Sequence, residues 1–191
     1  MHMGMHKRLV SAGALALALA APAAIAGAQD VGATRAFTIG IAAGATVPTG
    51  DFADAYGTGF NVMGTLGFQP AALPVGVRFD VMYHSLPGEE ILGIELDDLN
   101  IISGTANAVL TVSNSGGVRP YLIGGVGLYR ADGGGDETST DFGLNGGAGL
   151  EFGLAGFSTF LEARFHSVFI DDEGSDVGNL NLIPITFGLR F

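Results

Sequence analysis

The chain has 191 residues, a formal net charge of −11, 48% hydrophobic residues and a mean hydropathy of +0.42. Such acidity argues against a nucleic-acid partner, and the lack of cysteine rules out a disulfide framework and a lipidated N-terminal Cys. High apolar content in so acidic a chain implies that its apolar and acidic residues are segregated.

The first element reads as an export signal. Lys7 and Arg8 form a basic flank, Leu9 to Ala23 is a weakly polar to apolar run, and Ala24-Ile25-Ala26 or Ala26-Gly27-Ala28 offers a small-x-small cleavage site. Cleavage after Ala28 is expected, making residues 1–28 a signal peptide and residues 29–191 one barrel domain. The run is mostly Ala with no second charged flank, unlike a membrane anchor, and no later segment offers the roughly 18 apolar residues a spanning helix needs. Losing Lys7 and Arg8 takes the charge from −11 to −13.

From Phe37 onward the chain breaks into eight alternating segments. Strands are expected near Phe37 to Ala45, Phe60 to Phe68, Val75 to His84, Leu99 to Val112, Tyr121 to Ala131, Asp141 to Leu154, Phe157 to Phe169 and Leu180 to Phe191. Most have about the 9 to 11 residues of a tilted membrane strand. Phe37, Ile39, Ile41 and Ala43 oppose Thr38, Gly40, Ala42 and Gly44; Val75, Val77, Phe79, Val81 and Tyr83 oppose Gly76, Arg78, Asp80, Met82 and His84. Phe142, Leu144, Ala148, Leu150 and Phe152 oppose Asp141, Gly143, Asn145, Gly149 and Glu151, and Leu161, Ala163 and Phe165 oppose Glu162, Arg164 and His166. Tyr121 to Ala131 has no readable phase.

Composition decides which face points out. A soluble barrel would cover its polar face with Lys and Glu, whereas the single Lys here lies in the signal and the polar faces are mostly Gly, Thr, Ser and Asn. Those residues suit a narrow lumen, which leaves the apolar face to lipid and makes closure obligatory. Gln69 to Pro74, Ser113 to Pro120 and Ala155-Gly156 read as periplasmic turns; Thr46 to Gly59, Ser85 to Asp98, Asp132 to Thr140 and Ile170 to Asn179 read as outer loops.

The chain ends on its clearest alternation, Asn181, Ile183, Ile185, Phe187, Leu189 and Phe191 against Leu182, Pro184, Thr186, Gly188 and Arg190. Pro184 costs one ladder bond. This ending resembles the C-terminal strand by which bacterial outer-membrane barrels are recognised for assembly. The resemblance implies that Ile185, Phe187, Leu189 and Phe191 form an assembly signal and that the barrel-assembly machinery is a partner during biogenesis. With the signal, the eight strands and the segment Val47-Pro48-Thr49-Gly50-Asp51-Phe52, the chain resembles the small eight-stranded outer-membrane β-barrel family of OmpA-transmembrane-domain, OmpX and OmpW type. The resemblance implies an all-β, antiparallel up-and-down barrel in the outer membrane, surrounded by lipid and lipopolysaccharide. No peptidoglycan-tethering role is expected.

Catalysis is not expected. His84-Ser85 and His166-Ser167 invite comparison with barrel hydrolases, but adjacent strand residues point to opposite faces, so neither His can activate its neighbouring Ser. His84 is expected as a solvated residue at the lumen mouth and His166 as a hydrogen-bonded lumen residue. No ligand-spaced cluster suggests a metal, no cofactor motif is present, and Gly124-Gly125-Val126-Gly127 and Gly146-Gly147-Ala148-Gly149 fit no nucleotide loop. These glycines suit tight curvature and lumen packing.

What remains is loops and lumen. The outer loops and rims hold Asp51, Asp54, Glu89, Glu90, Glu95, Asp97, Asp98, Asp132, Asp136, Glu137, Asp141, Asp171, Asp172, Glu173 and Asp176, with Arg130 alone among bases nearby. They read as a solvated acidic surface, with weak divalent-cation binding as the alternative. Arg78, Asp80, Glu151, Glu162, Arg164 and Arg190 form an expected lumen cluster, three positive and three negative. An eight-stranded barrel has room only for side chains, so these charges must pair there and close the lumen. The expected role is structural or surface-interacting, with a narrow or gated conduit for small solutes as the alternative and a lipid-modifying barrel enzyme third.

Overall fold

The computed structural model describes residues 37–191 apart from 71–72, 92, 113–116, 134–137 and 171–178; the expected signal peptide lies outside the described residues. Among them, eight strands form one closed antiparallel barrel: β1 (Phe37–Thr49), β2 (Gly59–Phe68), β3 (Val75–Leu86), β4 (Leu99–Thr111), β5 (Val118–Asp132), β6 (Thr138–Gly153), β7 (Ser158–Phe169) and β8 (Leu180–Arg190). Each strand pairs with its neighbours in sequence, and β8 closes on β1 from Gly40↔Arg190 to Thr49↔Asn181. Phe191 extends this seam through reciprocal backbone bonds with Ile39, at 3.1 and 2.8 Å. Closure leaves no strand edge with unpaired backbone groups, as hydrocarbon demands.

The exterior is apolar because every second residue points to lipid. Phe37, Ile39, Ile41, Leu66, Val77, Phe79, Val81, Leu122, Leu128, Leu144, Leu161, Phe165 and Phe187 are all exposed. Aromatic rings gather at both ends of this band, Phe37 with Phe68 and Phe157 with Phe191 at the short-turn end, and Phe60 with Tyr83 and Phe142 with Phe169 at the other. Such paired girdles mark the two membrane interfaces. β5 resolves its phase: Tyr121, Ile123 and Tyr129 face the lumen while Leu122, Val126 and Leu128 face out.

Several strands outrun their expected bounds. β1 continues through Val47, Pro48 and Thr49, which pair with Ile183, Leu182 and Asn181, so the loop after β1 is shorter than expected and begins with the 3-10 turn Gly50–Asp54. β5 and β6 pair as far as Asp132↔Thr138, so Asp132 and Thr138 to Thr140 of the expected Asp132 to Thr140 loop belong to strands. At about 3.4 Å per residue such a hairpin exceeds an apolar band of about 25 Å, so its outer end stands in water. A small hairpin, Glu90–Ile91 with Ile94–Glu95, lies within the Ser85 to Asp98 connection. The Ala155-Gly156 turn is as expected, with Leu154 N–H donating to Phe157 O at 2.9 Å and Gly156 at φ 92°. Pro184 has the expected local cost: pairing of β8 with β7 lapses at Ile183 and Pro184, then resumes in the same register at Ile185↔Ala163.

Lumen glycines make room for aromatic rings. A Cβ on Gly149 would collide with the Tyr121 ring, and one on Gly143 with the Tyr129 ring. Gly149→Ala is therefore expected to displace Tyr121 and lower stability by about 1 to 3 kcal/mol, the range for overpacking a filled interior. Urea titration of the refolded barrel checks this, and in a Tyr121→Ala background the further loss from Gly149→Ala should be much smaller.

Candidate functional site

The lumen is filled at four levels, taking the end with the longer connections as the outer one. The outermost is an apolar cap of Leu86, Leu99, Ile101, Tyr129, Val168, Leu180 and Leu182, all buried, with Phe52, Tyr56 and Ile170 packed against it. Phe52 and Tyr56 come from the connection after β1, where their rings stack at 6.2 Å. That connection is tied to the next one by Glu89 N–H to Ala55 O at 3.0 Å and Gly57 N–H to Pro87 O at 2.9 Å. The cap departs from the expectation of a lumen face that is polar along its whole length.

Below the cap lie His84 and His166. His84 is completely buried rather than a solvated residue at the mouth, because β3 runs on to Leu86 and the cap lies over it. Its Nδ1 is 2.8 Å from Thr46 Oγ1, which also accepts from Asn61 Nδ2 at 2.9 Å. His166 is hydrogen-bonded as expected, with Nδ1 2.8 Å from Tyr129 OH. Met63, Met82 and Phe160 fill the adjoining space.

The third level is an ion tetrad. Arg78 Nε lies 2.9 Å from Asp80 and its Nη2 2.8 Å from Glu162; Arg164 Nη2 lies 2.8 Å from Asp80 and its Nε 2.6 Å from Glu162. Each carboxylate thus receives both guanidinium groups, and the formal charges cancel. Tyr121 OH donates to Glu162 Oε2 at 2.7 Å and Asn107 Nδ2 to Asp80 Oδ2 at 2.9 Å. All four charged side chains are at most 3% exposed, so pairing of this quality is what allows them to remain ionised away from water. β3 and β7 stand on opposite walls, and the tetrad therefore spans the lumen.

At the periplasmic end Glu151 is clamped between Arg119 and Arg190. The Arg190 guanidinium also lies over the Phe160 ring, 4.8 Å from its centre. The six residues expected as one lumen cluster thus separate into a tetrad and a second group around Glu151, and the latter includes Arg119. Arg119 escapes the sequence reading because it falls in an expected turn, whereas β5 begins at Val118. Arg119↔Glu151 is a direct cross-strand pair, which a longer strand would have revealed.

Other residues are not gathered into a site. Ser85 and Ser167 occupy the outward-facing registers of β3 and β7, opposite in phase to their histidines, so neither His-Ser dyad forms. Ser103, a lumen residue of β4, donates its hydroxyl to the Met82 carbonyl at 3.5 Å. Asp136, Glu137, Asp171, Asp172, Glu173 and Asp176 lie outside the described residues. Among the described residues no group of three His, Cys, Asp or Glu is arranged to hold a metal ion. A shallow, mostly apolar groove over Gly104 is lined by the outward-facing Phe79, Val81, Val126, Leu128 and Phe142, with Asp80 and Thr105 also at its floor.

A closed barrel with an apolar exterior, paired aromatic girdles and a polar interior defines an integral outer-membrane β-barrel protein. The chain belongs to the family described as outer membrane protein beta-barrel domain, whose model matches residues 13–191. Curated proteins gave no match. Among solved structures the chain is similar to Neisserial surface protein A, with 20% identity, a TM-score of 0.61 and coverage of 81% of this chain and 96% of that one. It is also similar to a major outer membrane protein from Thermus thermophilus, with 15% identity, a TM-score of 0.51 and coverage of 82% and 100%. At these identities the likeness shows the fold, and a role has to be argued from the residues.

Proposed function

We propose that the protein is a structural or surface-interacting outer-membrane barrel with a sealed lumen and no catalytic centre, exported by a signal peptide cleaved after Ala28. The observation that carries this is the cap of Leu86, Leu99, Ile101, Tyr129, Val168, Leu180 and Leu182 stacked above a tetrad that spans the barrel. A solute path would have to displace these buried side chains and break a charge network in low dielectric. The same filling favours this reading over a narrow conduit, and the opposite facing of each His and its neighbouring Ser favours it over a lipid-modifying enzyme. The partners proposed are outer-membrane lipid, lipopolysaccharide and, during biogenesis, the barrel-assembly machinery. The outer connections are proposed as a solvated acidic surface rather than a divalent-cation layer.

Planar-bilayer recording on the purified, refolded barrel tests the sealed lumen. No steady conductance is expected at moderate voltage. A steady ohmic conductance would reverse the order and make the protein a conduit.

A further inference from the structure

His84 and His166 are the only histidines of residues 29–191, and β3 and β7 carry them in from opposite walls. Their ring centres are 6.1 Å apart with planes at 75°. Both side chains are fully buried. In each ring the nitrogen nearer the wall, Nδ1, is held 2.8 Å from a hydroxyl, Thr46 Oγ1 for His84 and Tyr129 OH for His166. The distal nitrogens are different: among the described residues neither Nε2 has a hydrogen-bond partner. Asn61 and Asn145, the direct cross-strand neighbours of His84 and His166, bring side-chain amides to the same level, and Asn61 Oδ1 has no hydrogen-bond partner among the described residues.

Two imidazoles from facing walls, each with an Nε2 that has no hydrogen-bond partner among the described residues, are a candidate metal-binding pair. In the tautomer protonated at Nδ1, the hydroxyl accepts from Nδ1–H, orients the ring and leaves the Nε2 lone pair free, which is how protein imidazoles ligate metals. With a metal–nitrogen bond of about 2.1 Å and about 1.2 Å from nitrogen to ring centre, two imidazoles on one ion have centres about 5.4 Å apart at a tetrahedral angle and about 6.6 Å apart when opposed, and the observed separation lies between the two. Amide oxygens from Asn61 and Asn145, the cross-strand neighbours of the two histidines, would complete the coordination. Imidazole donors suit the copper–zinc class rather than calcium or magnesium, which take oxygen. Arg164, two residues from His166 on the same face, repels any cation, so only an ion with strong affinity for imidazole would bind. We propose that His84 Nε2 and His166 Nε2 hold one divalent ion of the copper–zinc class inside the barrel, tying β3 to β7 across the lumen. The sequence conceals the pair, since 82 positions (166 less 84) separate the two residues and only barrel closure brings them together.

The test uses the barrel purified from outer membranes without a histidine tag, stripped with chelator, refolded with Cu²⁺ or Zn²⁺ and freed of excess metal. One equivalent of metal is expected, with a raised melting temperature and, for Cu²⁺, electron paramagnetic resonance couplings from two imidazole nitrogens. His84→Gln and His166→Gln should each abolish the stoichiometric binding. If either variant fails to refold, the wild-type nitrogen couplings decide, because the mature chain has no other imidazole to supply them. A folded wild-type barrel that retains no metal, or retains it without imidazole coupling, would overturn the proposal.

Discussion

Arg164→Ala is expected to lower the unfolding free energy of the barrel by about 3 to 5 kcal/mol, the cost of stranding a buried charge by deleting its partner. Asp80 and Glu162 would keep Arg78 as their shared cation, leaving a net negative charge in a space closed to water by the cap above and the Glu151 group below. Rearrangement offers little relief, because Arg78 already bridges both acids. Arg130→Ala supplies the control: that side chain is exposed at the outer rim, where pairing is worth about 0 to 1 kcal/mol. The chain has no Trp, so circular dichroism in a urea titration, or the heat-induced shift on gels, is the suitable readout. Arg164→Ala with Asp80→Ala should recover part of the loss, since one arginine and one carboxylate then remain paired. Equal midpoints for wild type and Arg164→Ala would mean that water reaches the tetrad, and the sealed lumen would fall with it.

Alternation makes the exterior legible because lipid enforces it: nothing but an apolar residue is cheap at Phe79, Val81 or Leu161, so strand number and facing follow from period 2. The lumen is under weaker constraint. Tyr121 and Ile123 fill it beside Val109 as readily as polar residues would, which is why β5 shows no phase in sequence. The cap is hidden for the same reason: Leu86, Leu99 and Leu180 sit at strand ends, where a leucine can as well belong to a loop, and their convergence depends on all strands closing at one height. The charged lumen residues are recognisable from their faces, but their partners are not. Arg78 and Glu162 are 84 positions apart and meet only across the closed barrel, whereas Arg119 and Glu151 follow from a hairpin register once the start of β5 is known. His84 reads as solvated because the alternation is legible only as far as that residue, while the strand itself runs on to Leu86 and under the cap.

Deleting Phe191, or replacing Phe187 and Phe191 by Ser, is expected to leave export intact and to reduce the folded barrel in the outer membrane severely. The contacts of both rings in the folded barrel bound how much of this loss stability can account for. The Phe191 ring is half-exposed to lipid with a single aromatic neighbour, Phe157, at 6.3 Å, and its backbone adds two hydrogen bonds at the open end of the β1–β8 seam. Phe187 projects from the outer wall opposite Ala43 and Leu161. Backbone bonds at a frayed end contribute about 0.5 to 1.5 kcal/mol each, and replacing the lipid-facing rings adds about 1.5 to 3 kcal/mol apiece at most. A barrel closed by eight ladders can absorb such losses in detergent, so the same variants should still refold in vitro with lowered midpoints. Failure in cells combined with refolding in vitro is the expected pattern, because a recognition signal is read before the seam exists, while the last strand is still unpaired. Normal amounts of heat-modifiable barrel in the membrane would remove the signal role from Phe187 and Phe191. Failure in both settings would instead place their contribution in the seam itself, where β8 must find β1 for either of those two strands to gain its second partner.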